Sequence, residues 1–257
     1  MSNKDYSSTA DEGVEDDLRN QRLDPAIADV YAVFNSIGYQ IINARRLEHL
    51  ATLGIPVRDL TVLELGAGAG GLTSYFINRN CDVTSVEPRA ESLGVLAGRF
   101  PTVTAMHLDI ETDAARMLPK RDVVFSYGLL YHLRDPETAL ERMSSAAQQL
   151  LLLETRVDPT PEEKVELVDE RHAEHPSSGM YGAGCRPSRS WVQSQLKRWF
   201  PNVYLPRTQP NHPEFPVEWA HAGADGYPTR AIFVASRTPL DHPNLGETIE
   251  ERQRYAV

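Results

Sequence analysis

From Leu60 onward, short apolar runs alternate with segments of helical spacing. Residues 61–65, 82–86, 103–108, 122–126 and 149–155 read as strands; residues 71–79, 90–100, 113–117 and 136–147, lying between them, read as helices. Runs such as VVF and LLLL are apolar at every position, which marks strands covered on both faces in a parallel sheet. Upstream, Val30, Val33, Phe34, Ile37, Ile41, Leu47 and Leu50 recur at three- and four-residue steps, a helical pattern over residues 25–53. Asp24 is a natural N-cap with proline at the first helical position, and Gly38 and Gly54 are candidate breaks that make this two helices.

Beyond Glu154 the rhythm fails. Residues 156–189 are rich in charge, proline and glycine and read as an insertion, a natural lid over a pocket. The stretch SRSWVQSQLKRWF follows as an amphipathic helix, with Ser188 or Ser190 as its cap. Residues 203–205 and 231–236 are two final strands joined by a long Pro/His-rich connection. The ends read as tails: residues 1–24, with seven acids against three basic residues, as a flexible acidic one, and residues 237–257 as a polar surface one. The expected architecture is α/β: a doubly wound, mostly parallel seven-stranded sheet in one domain over residues 25–236, with N-terminal helices over 25–54.

Composition narrows the partners. The 257 residues suffice for a well-buried core, and no apolar run approaches the ~20 residues a membrane-spanning helix needs. The polar, acidic N-terminus is not a secretory signal. Two cysteines, Cys81 and Cys185, form no CxxC pair and point to a reducing cytoplasm. A net charge of −10 disfavours nucleic acid and anionic membranes as partners. His172, His175 and Cys185 share the insertion, but no fourth ligand stands at a usual spacing, so no metal is expected.

The chemistry centres on VLELGAGAGGLTSYF, residues 62–76, where a strand gives way to glycines and then to a helix. Backbone amides at such a junction cradle a ligand, and a side chain would block its approach. Gly66, Gly68 and Gly71 also fit the G-x-G-x-x-G spacing of dinucleotide sites, so the glycines alone leave two ligands open. Glu64 separates them: a carboxylate two residues before the first glycine repels a pyrophosphate and attracts an ammonium and a sulfonium.

The run Glu64, Gly66, Ala67, Gly68, Gly70 resembles motif I of the class I S-adenosylmethionine-dependent methyltransferases, of small-molecule type. Three further positions fall in that family's order. Glu87 in TSVEPRAESL ends the second strand, where the resemblance implies an acid bonded to both ribose hydroxyls. Asp109 follows the third strand, where it implies an acid at the adenine amino group with the Ile110 backbone beside it. The fourth strand runs through Tyr127 into YGLLYHLRDP, similar to the motif IV region that lines the methyl-transfer site. The resemblance covers residues 60–155 well and residues to 236 by general topology.

It implies S-adenosyl-L-methionine as cofactor and methyl transfer by in-line displacement, in which the protein chiefly aligns the reactants. His132 is the candidate base, or else caps the loop; Tyr131, Glu154 and Arg186 are candidate substrate contacts. Of Arg45 and Arg46, one can pair with the methionine carboxylate, or both can bridge to Glu48 or Glu91. The acceptor is expected to be a small molecule, methylated at oxygen or nitrogen. The YGLLYHLRDP segment also resembles the enzymes that modify the tRNA wobble uridine with a carboxylated form of the cofactor. A non-catalytic cofactor-binding protein and a nucleotide-dependent oxidoreductase are the competing classes.

Overall fold

A computed structural model describes residues 24–170 and 175–256; residues 1–23 of the predicted N-terminal tail and His172 lie outside them. Helix α1 (Pro25–Phe34) starts as expected, with the Asp24 carboxylate accepting from the Ala26 amide at 2.9 Å. Helix α2 (Ile37–Thr52) follows after a break at Asn35–Ser36, not at Gly38, because the Ser36 hydroxyl caps the new helix at the Tyr39 amide. Strands β1 (Thr61–Leu65), β2 (Asp82–Glu87), β3 (Thr104–His107), β4 (Arg121–Tyr127) and β5 (Ala147–Arg156) lie within a few residues of their predicted bounds. Helices α3 (Ser74–Ile77), α4 (Ala90–Arg99) and α5 (Pro136–Ala146) connect them, with 3₁₀ turns at Asp113–Met117 and Leu130–His132. The predicted insertion contains a hairpin of β6 (Val165–Asp169) and β7 (Ala183–Pro187). Helix α6 (Arg189–Lys197) is capped by Ser188, and β8 (Asn202–Pro206), the short β9 (Thr208–Gln209) and β10 (Arg230–Ser236) complete the main fold.

The central sheet runs β8-β10-β5-β4-β1-β2-β3, with a two-residue β11 (Leu245–Gly246) added beside β8, so it has eight strands rather than seven. The five strands from β3 to β5 are parallel, and β10 is antiparallel to both its neighbours. Alternation along each strand supplies two cores. Leu63, Val124, Leu151 and Phe233 pack with α5 and α6 on one face; Val62, Phe125, Leu152 and Ile232 pack with α2 and α3 on the other. Both faces are covered, which is why these strands are apolar at successive positions.

Residues 237–256 run along the surface but are anchored to the fold at several points. Leu245 is buried, β12 (Arg254–Tyr255) pairs with β9, and the Gln253 side-chain Oε1 accepts from the Trp219 indole N–H at 2.6 Å. These anchors are isolated in a polar segment, so hydropathy alone does not reveal them.

The α2 helix also buries His49 completely, its Nε2 donating to the Thr208 carbonyl at 2.9 Å while Nδ1 has no hydrogen-bond partner among the described residues. Burial brings the imidazole from 6.5 down to about 4, against the raising effect of the Thr208 bond. The unfolded chain therefore binds the proton first, and stability contributed by neutral His49 is full above pH 6.5 and declines as pH falls toward 4. In urea denaturation from pH 7 to pH 5, the wild type is expected to lose about 2 kcal/mol more than a His49→Gln variant. Equal losses would mean that His49 is not the buried acid sensor.

Candidate active site

The chain order reverses between β1 and β4, and a cavity of about 480 Å³ opens at the carboxyl ends of these strands. Its first wall is the glycine loop. The Gly66 and Ala67 amides both donate to the Val86 carbonyl, at 2.9 and 3.2 Å, which folds the loop back onto β2. The Gly68 amide donates to Glu87 Oε2 at 2.9 Å, and the Arg89 amide to Glu87 Oε1 at 3.1 Å. Gly68 has φ +54, and a Cβ there would stand 2.7 Å from the ring of Phe34, so only glycine fits beneath α1. Burial raises the Glu87 carboxyl above its usual range, against the two amide bonds.

Past β3, Asp109 and Ile110 form the next wall. Asp109 Oδ1 accepts from the Glu111 amide at 2.8 Å and Oδ2 from the Tyr181 hydroxyl at 2.6 Å, while Arg134 lies over the Tyr181 ring. The opposite end is built on charge. Glu154, wholly buried at the end of β5, accepts from Arg46 at 2.8 Å and Arg230 at 3.0 Å, and Arg230 also reaches Glu214 at 2.5 Å. Tyr131 sits among Arg156, Arg186 and Arg230, whose guanidinium carbons lie 4.9, 5.5 and 5.0 Å from its ring centre. Burial alone would raise this phenol, but His132, Arg230 and Arg156 outweigh it and bring it to about 7. The His132 ring is 3.9 Å from that of Tyr131, and its Nδ1 donates to Glu170 at 2.6 Å.

Gly66, Gly68, Glu87, Asp109, Ile110, Tyr131, His132 and Arg186 thus border one cavity. Five other predicted residues do not. Glu64 is 2% exposed and accepts from the Thr73 and Ser85 hydroxyls at 2.7 Å each, so it ties the loop's descending limb to β2 and does not border the cavity. Burial lifts it to about 7 despite those two bonds. The Ala67 amide is spent on Val86, and Gly70 lies under the Phe100 ring. Tyr127 packs against Phe125 in the core, its hydroxyl buried without a hydrogen-bond partner among the described residues. Glu154 reaches the cavity only through Arg46 and Arg230, which do border it.

Of the tandem arginines, Arg45 pairs with Glu48 at 2.6 Å and Arg46 turns inward. A helical signal existed for that division, because Arg46 lies in phase with Ile42 and Leu50 on the buried stripe. Arg156, Arg230, Phe34 and Glu170 were not predicted as site residues, and no local pattern marks them. Among the described residues, no group of His, Cys, Asp or Glu side chains can hold a metal ion, and no helix is long and apolar enough to cross a membrane.

Residues 63–149 match the methyltransferase-domain family. Over 151 residues the chain is 26% identical to a tRNA U34 carboxymethyltransferase of Ruthia magnifica subsp. Calyptogena magnifica, covering 55% of this chain and 45% of that protein. It therefore spans less than half the length of that relative. A 52-residue stretch, 20% of this chain and 21% of the relative, is 40% identical to an uncharacterized methyltransferase of Mycobacterium tuberculosis (strain ATCC 25618 / H37Rv). Among solved structures, the fold is similar to that of magnesium protoporphyrin IX methyltransferase from Synechocystis PCC 6803 with bound S-adenosylhomocysteine. That match has a TM-score of 0.57 and 14% identity, over 89% of this chain and 100% of the other. The 1,6-didemethyltoxoflavin-N1-methyltransferase of Burkholderia thailandensis, solved with bound 1,6-didemethyltoxoflavin and S-adenosylhomocysteine, gives a TM-score of 0.53 and 18% identity, over 92% of this chain and 94% of the other.

Glu154→Gln keeps the shape but removes the carboxylate that offsets two buried guanidiniums. A loss of about 3 kcal/mol is expected in urea denaturation, the order found when one partner of a buried ion pair is removed. A loss below about 1 kcal/mol would show that water or Glu214 already compensates the arginines.

Proposed function

We propose that this chain, a class I S-adenosylmethionine-dependent methyltransferase by its methyltransferase domain and its fold, moves a methyl group to an oxygen or nitrogen of a small-molecule acceptor. The observation that carries this reading is the join of Glu87 to the glycine loop. The acid faces the cavity while the loop backbone, stripped of Cβ atoms at Gly66 and Gly68, passes close beside it. These residues fit the cofactor: the Glu87 carboxylate for its ribose beside the bare backbone of Gly66 and Gly68, Asp109 and the Ile110 backbone for its adenine, and Arg46 for its carboxylate. Glu64 serves by tying the end of the loop to β2 through Thr73 and Ser85, and Gly70 by letting the loop pass under the Phe100 ring.

When bound, S-adenosylmethionine supplies an activated methyl group, so the protein's work is alignment and exclusion of water. Tyr131 and Arg186 border the space where an acceptor would lie, and Glu154 holds Arg230 and Arg46 to it. For an acceptor that carries a proton, His132 is the proton acceptor.

A second reading is favoured by the guanidiniums around Tyr131, which suit an additional carboxylate. It takes the carboxylated form of the cofactor and a tRNA wobble uridine, as the name of the Ruthia relative suggests for that protein. The net charge of −10 weighs against a polyanionic partner.

Calorimetric titration tests both. S-adenosylmethionine and S-adenosylhomocysteine are expected to bind and NAD to remain silent, with at least about tenfold weaker binding in Glu87→Ala, equivalent to about 1.4 kcal/mol. Tighter binding of the carboxylated cofactor would favour the second reading. Binding of NAD alone would overturn both.

A further inference from the structure

The β6–β7 hairpin lies backbone to backbone on the turn that carries Tyr131 and His132. A Cβ at Gly184 would stand 2.3 Å from the Tyr131 carbonyl oxygen, and one at Gly179 would stand 2.6 Å from that of His132. Cys185 Sγ donates to the Leu130 carbonyl at 3.2 Å, and Arg186 Nη1 to that of Tyr131 at the same distance. The hairpin therefore grips the turn through each of its three carbonyls, and only residues without side chains allow so close an approach.

Glu170 stands at the root of this grip, immediately after β6, its own amide donating to the Gly182 carbonyl at 2.7 Å. Its Oε2 accepts from His132 Nδ1 at 2.6 Å and from the Gly179 amide at 2.9 Å; Arg186 lies 3.9 Å from Oε1. Burial alone would raise this carboxyl, but His132, the Gly179 amide and Arg186 bring it below its ordinary value. An ionised carboxylate only accepts, so the proton of a neutral His132 is held on Nδ1 and the lone pair falls on Nε2.

We propose that Glu170 is the positioning residue of the transfer site: delivered by the hairpin, it fixes the tautomer and orientation of His132 so that Nε2 takes the acceptor's proton. In the step, the acceptor's N–H or O–H proton passes to Nε2 as the acceptor's electron pair forms its bond to the methyl carbon. The carbon–sulfur bond breaks, its electron pair stays on sulfur, and the thioether leaves. This assignment rests on the methyltransferase reading only for the identity of that step. The hairpin is accordingly a wall that completes the site, beyond a cover that excludes water.

The test is ¹⁵N-NMR of the histidine rings in the full chain at pH 8 without acceptor, with the His132 signals identified by their loss in His132→Gln. Wild-type His132 is expected in the Nδ1–H form. In Glu170→Ala it should change to the Nε2–H form that free imidazoles prefer, and Glu170→Gln should give a mixture of the two. S-adenosylhomocysteine affinity should stay within about twofold in both variants, since Glu170 is not among the cofactor contacts. A wild-type His132 already in the Nε2–H form, or a ratio unmoved by Glu170→Ala, overturns the proposal. Absence of S-adenosylhomocysteine binding in the wild type would instead overturn the methyltransferase reading and leave the tautomer result standing.

Discussion

A carboxylate with no access to water is the constraint around which this molecule is arranged. Glu154, near the carboxyl end of β5, has zero exposure, and a buried carboxylate is tolerable there because two guanidiniums meet it from separate elements. Arg46 comes from the N-terminal helix pair and Arg230 from the start of the antiparallel strand beside β5. Meeting at one carboxylate therefore sets the height of α2 over the sheet and the register at which β10 enters. Such a buried network is weak evidence for net stability, since an apolar replacement could pack as well. Its value lies in geometry, because both arginines continue to the cavity wall and one of them reaches Tyr131.

The two ends of the cavity follow different physical rules. At the glycine-loop end, acids are engaged by backbone amides: Glu87 accepts from Gly68 and Arg89, and Asp109 from Glu111. That arrangement rigidifies a backbone surface without adding side chains that would fill it. At the other end, guanidiniums surround one aromatic residue, and the ring's surroundings bring its hydroxyl down to about 7. A cavity with acids at one end and cations at the other orients an elongated ligand that carries both signs of charge. The hairpin spans both ends, meeting Asp109 through Tyr181 and His132 through Glu170.

The legible parts of this structure depend on neighbours in sequence. The strand Thr61–Leu65, the Asp24 cap and the Ser188 cap are local patterns with local causes, and the structure has them where the pattern puts them. The Ser36 cap is equally local, yet Gly38 drew attention because glycine is the stronger breaker on average. Glu64 was legible as an unusual acid in a strand, but its partners Thr73 and Ser85 lie 9 and 21 residues away, so spacing does not show that it is tied to the loop and to β2. Glu154 and Arg230 are 76 residues apart, and Glu170 and His132 are 38 apart, distances at which spacing carries no information. The C-terminal strap escaped for a related reason: Leu245 and Gln253 are single anchors in a polar segment.

The most direct measurement is a crystal structure of the protein grown with S-adenosylhomocysteine. The ligand is expected against Gly66 and Gly68, its ribose on Glu87, its adenine beside Asp109 and Ile110, and its amino-acid end toward Arg46. A ligand bound elsewhere, or this cavity lacking density while calorimetry reports binding, would contradict that expectation.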